Sequence, residues 1–130
     1  MNNLECVCNT KVMNMINNHC IGKKIYDSYK EHDEDFPYET LEEYENWYGK
    51  LRRRITKSLV KLSIKVLTEE YDKKNMSLNI DMVNTNNLCT CISEFIIDSE
   101  IGGTMEELYD EEEEIIDIFT DNLLEYNILI

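Results

Sequence analysis

From Leu4 the apolar residues fall at Leu4, Val7, Cys8, Val12, Met15, Ile16 and Cys20, in steps of three and four that lay them along one face of a helix closing at Gly22. A shorter amphipathic piece follows with Ile25, Tyr26 and Tyr29. The next stretch, HDEDFPYE, holds the only proline among clustered acids and predicts a loop.

Thr40 followed by Glu43 is a capping box, in which hydroxyl and carboxylate each satisfy a free amide at a helix start. The helix it opens carries Tyr44, Trp47, Tyr48, Leu51, Ile55, Leu59, Leu62 and Val66 on one stripe. A second stripe, Val60, Ile64, Leu67 and Tyr71, joins it further along, so the apolar face widens as the helix enters the core. Gly49 costs about 1 kcal/mol against alanine inside a helix and predicts a break or kink there. DKKN ends the element. MSLNIDMVN alternates like a strand but has no partner to pair with, and reads as a loop or a single helical turn.

Asn84 or Thr85 caps a further helix whose face is Leu88, Cys91, Ile92, Phe95 and Ile96, closed by Gly102-Gly103. Thr104 with Glu107 is a second capping box, and the helix it opens turns Leu108, Ile115, Ile116, Phe119, Leu123 and Leu124 inward. The sum is an all-α chain, residues 1–130 as a single compact bundle of five to seven helices. Four glycines and one proline agree with long elements and short connections.

Charge changes the picture next. Twenty-seven acids against thirteen bases give a net charge of −14, which repels nucleic acid and anionic lipid at long range. Seven of the thirteen bases, Lys50, Arg52, Arg53, Arg54, Lys57, Lys61 and Lys65, lie in sixteen residues that contain no acid. After Lys74 there is no Lys or Arg, while fourteen acids follow. The basic stripe has three readings: a solvated face or flank to the acidic C-terminal helices, a docking stripe for an acidic partner or nucleic acid, and a segment lying on a membrane surface.

No apolar run reaches the roughly 18 to 20 residues that span a bilayer, and the start lacks the pattern of a secretory leader. NLLEYNILI at the C-terminus reads as a helix end on the core. Five cysteines are an odd number, which predicts reduced thiols and a cytoplasmic setting. Cys6 and Cys8, like Cys89 and Cys91, sit two apart on helices, so the members of each pair point about 200° from each other and do not converge on one metal. His19 and His32 have no nucleophile at a diagnostic spacing, and the loop around His32, Asp33 and Asp35 lacks the calcium-binding pattern. The sequence predicts no catalytic residue, no metal and no cofactor.

Three stretches carry a resemblance. LEEYENWYGKLRRRI resembles the first core helix of the poxviral Bcl-2-like proteins, NNLCTCISEFI looks like their cysteine-containing central helix, and DIFTDNLLEYNIL is similar to their C-terminal helix. Asn46-Trp47, followed one residue later by Gly49-Lys50, is similar to the Asn-Trp-Gly-Arg motif of cellular Bcl-2 proteins with one residue inserted and lysine for arginine. The resemblance implies a bundle around a central apolar helix, no catalysis, and a groove or face that binds host apoptotic or innate-signalling proteins in the cytoplasm, with homodimerisation through one helical face.

The expected function is therefore a viral protein-interaction module. Tyr44, Trp47, Tyr48, Arg52 and Arg53 are the candidate contacts, because Trp, Tyr and Arg carry most interface energy. The alternative is an acidic mimic of nucleic acid that binds a basic partner through Glu111, Glu112, Glu113, Glu114 and Asp117.

Overall fold

The structure, a computed structural model, describes residues 2–32, 34–77, 83–105, 117–121 and 123. Four helices dominate them: α1 (Asn2–Asn18), α2 (Ile21–His32), α3 (Leu41–Asp72) and α4 (Thr85–Ile101). Residues 117–121 are helical as well, and no helix among the described residues is long and apolar enough to cross a membrane. The chain is all-α. The expected total of five to seven helices depends partly on residues 106–116 and 124–130, which lie outside the described set, as does the expected turn at 78–82.

The α1 face forms as its spacing requires, with Leu4, Cys8, Val12 and Ile16 buried at every fourth position. It ends earlier than Gly22. Cys20 takes a left-handed φ of 50° and is exposed, and Lys24 N–H donates to its carbonyl, so a sharp corner leads directly into α2.

Aromatic rings then fix the loop after α2. Phe36 lies among Tyr26, Tyr29, Tyr38 and Tyr44, with ring centroids 5.4 to 6.1 Å away. The Tyr26 hydroxyl donates to the Glu39 carbonyl at 2.6 Å and holds the chain just before α3 begins.

At that point Thr40 Oγ1 accepts from Glu43 N–H at 3.1 Å. The return bond of the box goes one residue further back, from Glu39 N–H to Glu43 Oε2 at 3.1 Å. Helix α3 then runs unbroken for 32 residues, about 48 Å, straight through Gly49. The break expected there does not occur. Glycine weakens a helix by about 1 kcal/mol, which is small beside the burial of Tyr44, Leu51, Ile55, Leu59, Val60, Leu67 and Tyr71 along one continuous side.

Helix α4 is the most enclosed element. Asn84 caps it by accepting from Asn87 N–H at 3.1 Å, and Leu88, Cys89, Ile92 and Ile96 are all fully buried between α1 and α3. Gly103, at a φ of 74°, turns the chain so that Thr104 N–H reaches the Ser99 carbonyl at 2.9 Å. Beyond it Phe119 and Leu123 return to the core, Phe119 meeting Phe95 edge-on at 5.2 Å.

Small hydroxyls on the buried sides create no unpaired polar groups. Thr56 and Ser63 each donate at 2.7 Å to the carbonyl four residues earlier, and Ser99 donates likewise to that of Phe95.

Candidate functional site

Helix α3 presents two chemically different sides, and the candidate contacts divide between them. On the inner side Arg52 is only 5% exposed. Its Nε donates to Glu100 Oε1 at 2.8 Å and Oε2 at 3.1 Å, and its Nη2 lies 2.6 Å from Glu100 Oε1. Its Nη1 donates to Glu45 Oε2 at 2.6 Å. The hydroxyl of Tyr44, itself buried, donates to Glu100 Oε1 at 3.3 Å. One guanidinium thus bridges a carboxylate on α4 and another on its own helix.

The shifts in this cluster follow from its geometry. Burial disfavours the charge on Arg52, but hydrogen bonds to Glu45 and Glu100 more than reverse that and hold it above its ordinary pKa. Burial pushes Glu100 up, and the hydrogen bond from Arg52 opposes the rise without cancelling it. The two partners differ because the guanidinium has two carboxylates to itself, while Glu100 is more deeply buried and shares its only cation. Tyr44 is also pushed up, by burial first and by the Glu100 charge second.

Gly22, in the first turn of α2, makes the arrangement possible. A Cβ placed there would collide with the Glu45 carboxylate and come within 2.6 Å of Arg52 Nη2. A cleft of about 290 Å³ opens at this corner, lined by Ile16, Cys20, Gly22, Leu41, Glu45 and Arg52 among others. Every charged group of the cluster that faces the cleft already has a partner within it, so the cluster is a structural clamp between α3 and α4, with α2 packed close against it at Gly22.

Tyr44 and Arg52, expected from residue type to be partner contacts, are both buried. Both occupy slots of the apolar stripe and point into the molecule. Tyr48 is half-buried, stacked on Tyr44 with centroids 4.6 Å apart. Trp47 departs in the other direction: the stripe placed it inward, yet it is 51% exposed. Arg53 is exposed.

The outer side of α3 carries the rest of the basic run. Lys50, Arg53, Arg54, Lys57, Lys61 and Lys65 are all exposed. At 100° per residue they fall within about 120° of the helix circumference, and Trp47 sits at the edge of the same arc. Among the described residues, Lys50, Arg53, Lys57, Lys61 and Lys65 form no salt bridge.

Of the alternative acidic surface, Asp117 is exposed, while Glu111, Glu112, Glu113 and Glu114 lie outside the described residues. The cysteines hold one feature that spacing did not reveal. Cys8 of α1 and Cys89 of α4 are both fully buried, and the neighbouring Cys89 thiol raises that of Cys8, with burial adding to the rise. Burial pushes Cys91 up to about 11.

The fold and its two-sided third helix define the class as a small all-α bundle with one exposed cationic face. No protein-family model, curated protein or solved structure matches the chain.

Proposed function

We propose that this chain is a protein-interaction module, acting by binding and not by catalysis, and that its contact surface is the outer side of α3. The exposure of Trp47 carries the reading. Burying an indole contributes strongly to folding, and a chain that leaves half of its only tryptophan in solvent, on the same exposed side as Lys50, holds there a residue type that anchors interfaces. The scaffold behind it is rigid: Arg52 and Tyr44, one turn away on the inner side, fix the rotation of the helix by their bonds to Glu100.

The resemblance of residues 41–55, 86–96 and 117–129 to poxviral Bcl-2-like proteins supports a more particular version. In it the chain is a viral protein that binds a host regulator of apoptosis or innate immune signalling in the cytoplasm, alone or as a homodimer.

Affinity capture from cell extract with the wild-type chain and with Trp47→Ala/Arg53→Glu tests the general reading. The double variant keeps its helical signal and loses the partners that the wild type retains. Equal recovery by both chains would remove α3 as the contact surface. Failure of amphipathic peptides from host death regulators to bind at micromolar concentration would remove the apoptotic version.

A further inference from the structure

The outer side of α3 is long, narrow and of one sign. Lys50 and Lys65 are fifteen positions apart, about 22 Å of helix, and Trp47 extends the strip to about 27 Å. Within it every charged side chain is positive, in a protein whose net charge is −14.

We propose that this strip is a docking site for an acidic segment of a partner protein, bound in extended form with an apolar residue against Trp47. The inference rests on the reading of α3 as the contact surface and names the chemistry of what it contacts. Charge complementarity selects an acidic ligand. The geometry selects a peptide over a nucleic acid. An extended chain rises about 3.3 Å per residue, so seven or eight residues cover the strip and touch nothing else.

A nucleic acid brings a much larger field of phosphates. The acidic body of the protein would then lie within the roughly 8 Å Debye length of many of them, and the repulsion would oppose what the strip gains. A short peptide feels the strip and little of the body. Lys57 and Lys61, which form no salt bridge among the described residues, stand in solvent, whereas the run's buried member, Arg52, is saturated by Glu45 and Glu100.

Trp47 supplies its own probe, since it is the chain's single tryptophan and lies at one end of the strip. The experiment is a titration of the full chain with a synthetic peptide of about eight residues, glutamate and aspartate with one leucine near an end, read by Trp47 emission. The expected result is a saturating shift. It weakens by roughly tenfold or more in Lys57→Glu/Lys61→Glu, whose unfolding midpoint is unchanged, and it falls steeply with added salt.

No emission change, or the same response in the charge-reversed chain, overturns the proposal. So does tighter binding of a short single-stranded oligonucleotide or of phosphatidylserine vesicles than of the peptide. Concentration-dependent dimerisation abolished by the same double variant would put a second copy on the strip and overturn it too. The broader reading fails separately: if Trp47→Ala/Arg53→Glu still captures every partner, the surface is wrong, whereas loss of capture with a silent peptide shows that only the partner's chemistry is wrong.

Discussion

The inner side of α3 holds one cation, closed in by Glu45, Glu100 and Tyr44, while its outer side holds six that face water. Arg52 and Arg53 are adjacent in the chain and about 100° apart on the helix. That angle separates a residue that ties α3 to α4 from one that is exposed to solvent. Burial sets the energy scale of each. Removing one member of a buried pair strands the other charge and costs about 3–5 kcal/mol, whereas an exposed pair is worth about 0–1 kcal/mol. A run of like charge thus says little about role until the inward position in it is known.

The largest expected effect breaks the inner side. Arg52→Leu leaves Glu100 buried without its counter-charge, and a loss of about 3–5 kcal/mol in chemical denaturation at about pH 7.5 is expected. Arg53→Ala changes stability by less than about 0.5 kcal/mol. The sign of the pH dependence follows from Glu100, whose carboxyl is already above its ordinary range through burial. Losing Arg52 lifts it further. A carboxyl that is weaker in the folded state binds more protons there, so its contribution to stability falls as pH rises from the unfolded pKa to the folded one. The deficit of Arg52→Leu is therefore widest at neutral pH and narrows toward about pH 5. A deficit independent of pH would mean that Glu100 is not the group left stranded.

A smaller effect sharpens the same boundary from the α2 side. Gly22→Ala drives a methyl group into the Glu45 carboxylate, which must leave Arg52. The lost charge-assisted bonds cost about 1–3 kcal/mol, and the gain of alanine over glycine in a helix returns about 1 kcal/mol. A net destabilisation of about 1 kcal/mol is expected. In a Glu45→Ala background the methyl group meets only Arg52 Nη2, and the penalty drops by at least about half. An unchanged penalty would place the clash on Arg52 alone.

The fold was legible where the signal is local. Helix caps at Thr40 and Asn84, the four-residue spacing of Leu4, Cys8, Val12 and Ile16, and the apolar face of α4 each follow from a few neighbouring residues. The clamp was not legible, because it joins residues 48 positions apart, and no spacing pairs Arg52 with Glu100. Partial signals exist in retrospect. Arg52 stands four residues after Tyr48 and three before Ile55, which is an inward slot. Glu100 stands four after Ile96 at the end of an apolar face, and Gly22 marks a close approach. Trp47 was misplaced for the opposite reason: its spacing from Tyr44 and Leu51 suits the stripe, but the inward arc is already filled by Tyr44, Tyr48 and Leu51, and the tryptophan falls on the side of Lys50.

The smallest effect tests how far the clamp's rigidity extends toward solvent. Gly49 lies mid-helix, where alanine is favoured by about 0.5–1 kcal/mol. A Cβ there would stand 3.3 Å from Glu45 Oε2, the atom that Arg52 Nη1 holds at 2.6 Å. Glu45 is more exposed than Arg52 or Glu100, so its carboxylate has room to give by a few tenths of an ångström without leaving the guanidinium. Gly49→Ala is thus expected to stabilise the chain by about 0.5 kcal/mol in thermal or chemical unfolding. Destabilisation of similar size would show that Glu45 is held as firmly as Glu100, and that the change from structural to available charge on α3 comes further out than Glu45.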